Sequence, residues 1–565
     1  MNSTVIHQLA ELCSAKGIEH VILCPGSRSA PLTLAFLRNN RFNCWTFSDE
    51  RSAAFIGMAM AQQTGKPVVL VCTSGSAAYN FAPAVAEAFF QKIPLVVITA
   101  DRPKEWIDQL DGQTIRQQGI YGDHVKQSFE LPQEYPHDDA MWHTNRIANE
   151  AINLAAREPM GPVHINAPFR EPLYSGAQER NPAHNPPRKI DLLPIKYALE
   201  ENQWSEIVSS INQFQKILIV PGQYSPDPRL GNTLRTLQDQ QGWPIAGDVL
   251  SNLHGLPAFC SHADTFLGQV PEKQKHSLAP DLLITFGQSL VAKNLKLFLR
   301  KYPPRQHWHI QAAGDTPDTF QNLTRIIPVT PDYFFSGLTT RIEKRPKNSY
   351  AEQWALQEGV SRNSIKDFFK KHEQGEFSLV QKVMAELPEN CNLHLANSMS
   401  VRYANHIGLG ENQKGVKVYG NRGTSGIDGC SSTAVGHALT STVPNILITG
   451  DQAFFYDRNA FWHNYPIPNL FVVVLNNHGG IIFNMIDGPD GLPEAEEFFI
   501  TRQTLKAKPL ANEFGFSYIE AQSASIKEFF KPDGNVKILE IESSQSLNKS
   551  VFESFKKQIK KNYEA

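Results

Sequence analysis

Short apolar runs that recur along the 565-residue chain constrain its fold more than any other feature. Examples are HVILCPG, KPVVLVCTSG, IPLVVITAD, KILIVPG, DLLITFG, PNILITGD and NLFVVVLNN, and helix-like segments separate them. Because apolar residues occupy successive positions, both faces of each strand must be buried, as in a parallel sheet covered by helices. Several runs end in Gly, Ser, Asp or Asn, at the edge where open α/β sheets bind ligands. The pattern predicts an α/β protein with doubly wound parallel sheets.

Two segments have the composition of linkers and divide the chain into three parts of domain size. The first, 175–194, is rich in proline and polar residues, and the second, 339–349, is charged and contains a proline. We therefore expect a domain at 1–180, a central α/β domain at 190–340 and a third domain at 350–565. The central part has no G-x-G-x-x-G fingerprint after a strand, so it gives no case for bound NAD or FAD.

The composition argues against several classes of function. The formal net charge is only −2 at pH 7, which gives no electrostatic case for nucleic acid or an anionic membrane surface. The seven cysteines are scattered without a C-x-x-C pair, which favours a reducing compartment over a disulfide framework or structural zinc. No apolar run is long enough to cross a bilayer and no signal-peptide pattern is present, so we expect a cytoplasmic protein.

The last residues, SVFESFKKQIKKNYEA, place Phe552, Phe555 and Ile559 at helical spacing with lysines opposite. This pattern suits a terminal helix that is docked by its apolar face. A basic tail that binds an acidic partner is the alternative. We expect the docked helix.

The stretch 446–483 is the most informative for chemistry. One buried strand ends in Gly-Asp451 and the next ends in Asn-Asn477-His-Gly479. A crossover helix, expected at 456–464, would bring the two strand ends side by side. A carboxylate, an amide oxygen and a backbone carbonyl would then converge as the hard oxygen ligands that Mg²⁺ prefers. Each motif alone suits an ordinary turn, but the pair predicts a site for Mg²⁺ or Mn²⁺ at Asp451, Asn477 and Gly479.

This pair of motifs resembles the thiamine-diphosphate signature, in which Gly-Asp-Gly is followed after a crossover by Asn-Asn. The third position here is Gln452 rather than glycine, so we expect the turn behind Asp451 to differ. The resemblance implies that thiamine diphosphate is held on the divalent metal.

The segment FNCWTFSDERSAAFIGMAMAQQTG contains a candidate catalytic acid. An apolar strand ends in Asp49-Glu50, and a helix that is apolar nearly all round follows, so Glu50 should lie near or under protein. Taken alone, Glu50 equally suits an ordinary acid at a helix N-terminus. Thiamine chemistry, however, needs one carboxylic group that shares a proton with N1′ of the aminopyrimidine. In the superfamily that the chain resembles, this glutamate and the metal site come from neighbouring subunits, which implies a homodimer or homotetramer with active sites at the interface.

Four further strings contain arginines near predicted strand ends or helix starts: CPGSRSAPLT, ITADRPKEW with DGQTIRQQG, LANSMSVRY and VYGNRGTSGIDG. A guanidinium pairs well with carboxylates, so the strings predict a site for several carboxylates. Salt bridges between domains are the alternative for any one arginine. Over nearly the whole chain these strings are similar, in the same order, to the MenD family of 2-succinyl-5-enolpyruvyl-6-hydroxy-3-cyclohexene-1-carboxylate synthases of menaquinone biosynthesis.

The resemblance implies that 2-oxoglutarate is decarboxylated with thiamine diphosphate and that its succinyl unit adds to isochorismate. It assigns substrate binding to Ser27, Arg28, Arg102, Gln113, Lys293, Ser398, Arg402 and Arg422. It assigns cofactor binding to Glu50, Gly450, Asp451, Gln452, Asn477, Gly479, Ile427, Ile482 and Phe483. Ile427 is implied as the apolar buttress of a bent cofactor. Residues 486–497 suit either a lid or a plain surface loop.

Two alternatives stay open at this point. One is another thiamine-dependent 2-oxo acid decarboxylase or an acetolactate-type synthase, whose monocarboxylate substrates would make the arginines nearly irrelevant. The other is a non-catalytic binding protein that kept the fold. Glu50 and the full set of metal ligands argue against the second.

Overall fold

The structure is a computed structural model. It describes residues 3–133, 137–174, 186–345, 349–485, 488–489, 491–521 and 526–564. Within these ranges the chain forms three six-stranded sheets. All strand pairs in them are parallel, which confirms the predicted fold class.

The first sheet has the strand order β2-β1-β3-β4-β6-β5. Its strands are β1 (His20–Leu23), β2 (Asn43–Thr46), β3 (Val68–Cys72), β4 (Leu95–Asp101), β5 (Ser128–Glu130) and β6 (Val163–Pro168). The helices around it are α1 (Ser3–Ala15), α2 (Ala30–Leu37), α3 (Glu50–Thr64), α4 (Ser76–Asn80), α5 (Ala82–Gln91) and α6 (Asp138–Ala156).

The second sheet has the order β12-β11-β10-β7-β8-β9. Its strands are β7 (Ile217–Pro221), β8 (Ile245–Ala246), β9 (Phe259–Cys260), β10 (Leu282–Phe286), β11 (Gln306–Ile310) and β12 (Arg325–Ile327). The helices in this part of the chain are α7 (Glu201–Ile211), α8 (Pro228–Gln241), α9 (Ala263–Leu267), α10 (Glu272–Leu278), α11 (Lys293–Lys301) and α12 (Pro331–Thr339).

The third sheet has the order β14-β13-β15-β16-β18-β17, which repeats the succession of the first sheet. Its strands are β13 (Cys391–Leu395), β14 (Val416–Tyr419), β15 (Asn445–Gly450), β16 (Leu470–Asn476), β17 (Ser517–Glu520) and β18 (Lys537–Glu542). The helices are α13 (Ser349–Phe369), α14 (Glu376–Ala385), α15 (Met399–Ile407), α16 (Cys430–Thr440), α17 (Asp451–Tyr456), α18 (Ile482–Met485), α19 (Ala507–Phe514), α20 (Ile526–Phe529) and α21 (Gln545–Glu564).

The chain divides into two compact units. The N-terminal unit comprises Met1–Ile195, Asn421–Thr442 and Ala453–Ile467, and so it contains the first sheet together with α16. The C-terminal unit comprises Lys196–Gly420, Val443–Gln452 and Pro468–Ala565, which hold the second and third sheets. No helix in the described parts of either unit is long and apolar enough to cross a membrane.

The predicted crossover helix at 456–464 is wrong. Helix α17 ends at Tyr456, and a 3₁₀ turn at Arg458–Phe461 follows. The chain leaves the helical path at Asp457, whose buried carboxylate accepts hydrogen bonds from the backbone N–H and the hydroxyl of Ser432 at 2.7 and 2.8 Å. A tertiary contact therefore overrides the local helical pattern. The predicted C-terminal helix is confirmed as α21, and its apolar face is buried.

Helices α3 and α16 pack closely within the N-terminal unit, and Gly436 makes this approach possible. A Cβ atom at Gly436 would lie 2.4 Å from the Ile56 carbonyl oxygen and 2.7 Å from the Ala59 Cβ. Neither neighbour is the far end of a flexible side chain, so a methyl group would force the helices apart.

We expect Gly436→Ala to destabilise the protein by about 1–3 kcal/mol because it overpacks this contact. The measurement is the midpoint of thermal unfolding by calorimetry. The matched control is Gly359→Ala in α13, where a Cβ would meet no atom within 4 Å. That change should be neutral or stabilise by about 0.5–1 kcal/mol, because alanine is the better helix former. Equal midpoints for the two variants would contradict the close packing.

Candidate active site

The ends of β15 and β16 bring the predicted metal-binding segments together in the C-terminal unit. The two strands are neighbours in the sheet, with Gly450 paired to Leu475. Asp451 directly follows the first strand, and Asn477 follows the second. Both side chains are buried. The parallel register therefore places the carboxylate and the amide at one edge of the sheet, where α/β folds bind ligands.

The Asp451 carboxylate is surrounded by donors. Its Oδ2 accepts a hydrogen bond from Gln503 Nε2 at 2.7 Å, and backbone N–H groups of Gln452 and Gly479 also donate to it. Burial raises the pKa of Asp451, and these donors act in the opposite direction. Gln503 was not identified from the sequence, because it lies far along the chain from both strand ends.

Asn477 is oriented by a buried glutamate at the start of α14. The Asn477 Nδ2 donates to Glu376 Oε1 at 2.8 Å, so the amide oxygen points to the other side, where Gln545 Nε2 lies at 3.4 Å. Glu376 is fully buried, and burial raises its pKa to about 7. Sequence reasoning missed Glu376 because an acid in the first turn of a helix is locally ordinary.

The donor set at these strand ends fits a hard divalent cation. One carboxylate, one amide oxygen and the carbonyl of Gly479 are oxygen ligands of the kind Mg²⁺ accepts. Among the described residues no group of three or more His, Cys, Asp or Glu side chains is placed to hold a metal. The residues present therefore suit Mg²⁺ or Mn²⁺ rather than a softer ion.

Gly479 and Gln452 both contact the chain around Ile500. A Cβ atom on Gly479 would lie 2.9 Å from the Ile500 Cγ2 and the Ile500 carbonyl oxygen, so only glycine fits. Gln452 Nε2 donates to the carbonyl oxygens of Ile500 and Thr501 at 3.0 and 3.1 Å. The glutamine that departs from the thiamine signature is thus the second residue of α17, and it ties a π-helical turn at Ala495–Ile500 to the strand end.

Ile482 and Phe483 lie in α18 and are half-buried. The Phe483 ring contacts the Phe499 ring at 5.9 Å between centroids. Of the segment suggested as a lid, positions 486, 487 and 490 lie outside the described residues.

Glu50 is the first residue of α3 in the N-terminal unit. Every residue of this helix from 52 to 61 is buried, as predicted, while Glu50 itself is half-buried. Its Oε2 accepts a hydrogen bond from Asn80 Nδ2 at 3.2 Å. The preceding Asp49 caps the helix by accepting from the Ser52 N–H at 3.1 Å, and Asn459 Nδ2 donates to its other oxygen at 2.7 Å. The glutamate therefore has a defined position on a buried helix.

Arg28 and Arg102 lie close together in the N-terminal unit. Arg28 is buried, donates to the Phe169 carbonyl oxygen at 2.9 Å and pairs with Glu171 at 3.3 Å. Arg102 pairs with Asp111 at 3.3 Å and approaches the same Glu171 carboxylate at 4.0 Å. Burial lowers the pKa of Arg28, and the positive charge of Arg102 acts in the same direction. The two guanidinium groups create a positive region, and the carboxylates of Glu171 and Asp111 partly neutralise its charge.

Ser27 and Gln113, also predicted to bind substrate, are exposed residues of the same unit. The Gln113 backbone has φ +55°, and it passes close to Gly75, where a Cβ would lie 3.3 Å from the Gln113 Cα. Buried Gln117 accepts from the Gly75 N–H at 2.8 Å and donates to the Ala100 carbonyl at 3.0 Å. Gln117, which sequence reasoning missed, anchors this loop.

The loop that contains Arg422 and Ile427 is held by Glu87. This fully buried carboxylate accepts from the N–H groups of Gly423 and Thr424 at 2.7 and 2.6 Å. Arg422 is half-buried, whereas Ile427 is 40% exposed. No sequence pattern around Glu87 predicts that this residue holds the loop of Arg422.

Lys293 and Arg402 line one cavity of about 240 Å³ in the C-terminal unit. Arg402 lies on α15 and donates to the Ser398 carbonyl oxygen at 2.6 Å. Ser398 has φ +69°, a backbone conformation that non-glycine residues adopt at a cost of about 1–3 kcal/mol. Such strain at a predicted substrate residue favours a functional site there. Asn294, next to Lys293, donates from its backbone N–H and its amide to Asp264 on α9.

Comparisons with known proteins show which families this chain resembles. The family described as "Thiamine pyrophosphate enzyme, N-terminal TPP binding domain" matches residues 3–126, and "Middle domain of thiamine pyrophosphate" matches 193–395. A 2-succinyl-5-enolpyruvyl-6-hydroxy-3-cyclohexene-1-carboxylate synthase of Cytophaga hutchinsonii is 45% identical, with 99% of each chain covered. Enzymes of the same name from Flavobacterium johnsoniae and Porphyromonas gingivalis are 39% and 36% identical. The alignments cover 92% and 97% of this chain, and 91% and 96% of those relatives.

Proposed function

The chain belongs to the MenD family of 2-succinyl-5-enolpyruvyl-6-hydroxy-3-cyclohexene-1-carboxylate synthases, and on that premise we propose the roles of its residues. It is a thiamine-diphosphate-dependent enzyme that decarboxylates 2-oxoglutarate and adds the succinyl unit to isochorismate. The product is 2-succinyl-5-enolpyruvyl-6-hydroxy-3-cyclohexene-1-carboxylate. The observation that carries the residue assignment is the pairing of β15 with β16, which puts Asp451 and Asn477 at adjacent strand ends.

We propose that the Asp451 carboxylate, the Asn477 amide oxygen and the Gly479 carbonyl hold Mg²⁺ or Mn²⁺. The burial of both side chains and the orientation of the Asn477 amide by Glu376 support this role. Gly450 and Gln452 flank Asp451 and would lie against the diphosphate. Bound thiamine diphosphate supplies a thiazolium carbon that accepts the electron pair of the bond broken beside the oxo group.

In this proposal the Glu50 carboxyl group shares a proton with N1′ of the aminopyrimidine ring of the cofactor. Its place at the N-terminus of a buried helix keeps the carboxyl group fixed, and Asn80 orients one oxygen. Ile427 would support the bent cofactor with its exposed apolar side chain, and Ile482 and Phe483 would exclude water.

We propose that the arginines and their neighbours bind the carboxylates of the two substrates. Both substrates are dicarboxylates, and guanidinium groups in partly buried sites form strong charge-assisted hydrogen bonds with such groups. The residues are Ser27, Arg28, Arg102, Gln113, Lys293, Ser398, Arg402 and Arg422. The shared approach of Arg28 and Arg102 to Glu171, and the cavity lined by Lys293 and Arg402, support this assignment.

We also propose the organisation of the working enzyme. Three domains at 1–180, 190–340 and 350–565 would provide the pyrimidine site, a central domain and the metal site. The enzyme would be a cytoplasmic homodimer or homotetramer with active sites at the subunit interface. The match to thiamine pyrophosphate enzyme families and to the synthases above supports this proposal.

The proposal is tested by following isochorismate absorbance with purified protein, 2-oxoglutarate, thiamine diphosphate and Mg²⁺. We expect loss of absorbance only when all components are present, and loss of activity after chelation of the metal. Release of CO₂ from another 2-oxo acid, without consumption of isochorismate, would instead support a simple decarboxylase.

We expect Arg28→Ala to raise the KM of a dicarboxylate substrate by about 10- to 100-fold, because a charge-assisted contact is lost. Steady-state kinetics with each substrate varied in turn measures the effect. Arg116→Ala is the matched control, since Arg116 is exposed and pairs with Asp108 at the surface. A KM equal to that of the wild type in the Arg28 variant would contradict the substrate assignment.

A further inference from the structure

The cavity beside α15 is lined by a lysine that the proposed function has not used. Lys293 begins α11, Arg402 lies on α15, and Lys556 lies on the C-terminal helix α21, and all three line the same space of about 240 Å³. These helices are far apart in sequence and meet only in the folded C-terminal unit. The cavity therefore has positive side chains from three directions.

The position of Lys556 is defined by its neighbours. Its Nζ lies 4.9 Å from the centre of the Phe552 ring, and it donates to the Met485 carbonyl oxygen at 3.4 Å. Met485 ends α18, the short helix that follows the proposed metal site, and it also lines the cavity. The Lys556 side chain is exposed, and its ammonium group contacts the end of α18.

The carboxylate among the described residues that line the cavity already accepts hydrogen bonds. Asp264 is the one acidic residue among the described residues that line it. Its carboxylate accepts from the Asn294 N–H at 2.5 Å, so it caps the start of α11. Burial raises the pKa of Asp264 to about 6, against the opposing effect of backbone hydrogen bonds. Among the described lining residues, three carry a positive side chain and one carries a carboxylate.

Two further features favour an anionic ligand. Lys293 is the first residue of α11, where a positive side chain opposes the helix dipole and so does not stabilise the helix. The same helix N-terminus adds positive potential to the cavity. His406, also in the lining, is half-buried; desolvation lowers its pKa to about 3, with Lys556 and Arg402 acting in the same direction.

We propose that Lys556 completes, with Lys293 and Arg402, a subsite that binds one carboxylate of a dicarboxylate substrate. The apolar lining, which includes Met399 and Phe555, suits the carbon skeleton next to that group. The inference rests on the proposed function and extends it to the C-terminal helix. The carboxylate belongs to 2-oxoglutarate or to isochorismate, and kinetics distinguishes the two sources.

The test compares Lys556→Gln, Lys556→Arg and the control Lys557→Gln in the holoenzyme. Lys557 is the next residue of the same helix and is exposed, as Lys556 is, but it does not line the cavity. We expect Lys556→Gln to raise the KM of one of the two substrates by about ten-fold, with kcat and the other KM nearly unchanged. Lys556→Arg should restore most of the affinity, and Lys557→Gln should match the wild type.

A second measurement separates this inference from the proposed function. Binding of glutarate to the protein loaded with thiamine diphosphate and Mg²⁺, followed by calorimetry, needs no turnover. A wild type that does not consume isochorismate would overturn the function, whereas glutarate affinity would still report on the subsite. The inference is overturned if Lys556→Gln changes neither KM nor the affinity for glutarate. It is also overturned if Lys556→Gln lowers both kcat and the unfolding midpoint and Lys556→Arg does not restore them.

Discussion

Replacement of Glu50 by glutamine is expected to lower kcat by about 10²–10⁴-fold, which is the usual contribution of a positioned proton-transfer group. The amide keeps the size of the side chain and can still contact Asn80, but it cannot hold the shared proton. Because Glu50 is only half-buried at the start of α3, the fold should be unaffected. The measurement is kcat with saturating isochorismate and 2-oxoglutarate, together with the unfolding midpoint.

The control for this variant is Glu19→Gln. Glu19 is an exposed carboxylate of the same unit and pairs with Lys66, a surface contact of about 0–1 kcal/mol. It should retain wild-type kcat. Exchange of the cofactor C2 proton, followed by NMR, should slow in the Glu50 variant and not in the control. A Glu50→Gln enzyme with wild-type kcat would remove the catalytic assignment.

Replacement of His262 by alanine should destabilise the C-terminal unit by about 3–5 kcal/mol, because it removes the buried imidazole that pairs with the Glu358 carboxylate and leaves that carboxylate with the exposed Arg362 at 3.4 Å as its cation. His262 Nδ1 lies 2.6 Å from Glu358 Oε1, and both residues are buried. The backbone N–H of His262 also donates to the other Glu358 oxygen, Oε2, at 3.0 Å. The unfolding midpoint measured by calorimetry tests this loss. The control Lys370→Ala removes an exposed pair with Asp367 and should change the midpoint little.

The same pair makes stability depend on pH. Burial alone would lower the pKa of His262, but the Glu358 charge and its hydrogen bond outweigh burial and raise it above 6.5. Burial alone would raise the pKa of Glu358, and the His262 charge reverses this to a value below 4.5. The raised His262 pKa gives stability that is lost as pH rises through it, and the lowered Glu358 pKa gives stability that is lost as pH falls through it. The contribution of the His262–Glu358 pair to stability is therefore complete between pH 4.5 and pH 6.5.

Comparison with His262→Gln isolates the charge from the hydrogen bond. The difference in unfolding midpoint between wild type and this variant should be largest between pH 4.5 and 6.5 and should narrow above that range. A difference that instead widens as pH rises through 6.5 would show that the histidine is neutral in the folded protein.

Local patterns in the sequence were sufficient to predict the α/β class and to pair the strand ends that we propose as the metal site. Runs such as NLFVVVLNN are buried on both faces, and the residues that directly follow such strands lie at one edge of a parallel sheet. Asp451 and Asn477 could be paired for that reason. The helix at 456–464 could not be placed, because the buried Asp457 binds Ser432 and stops α17.

The sequence by itself determined the fold class, the site edge of the third sheet and the buried helix that begins at Glu50. Only the tertiary structure decided which residues hold that site in place. Glu376 orients Asn477, Glu87 anchors the loop before Ile427, and Lys556 reaches the cavity of Arg402. Each contact joins residues far apart in the chain, where hydrophobic periodicity carries no information about which side chains meet. Strand burial is a local property that one segment encodes, whereas a hydrogen bond between distant helices depends on how the whole unit packs.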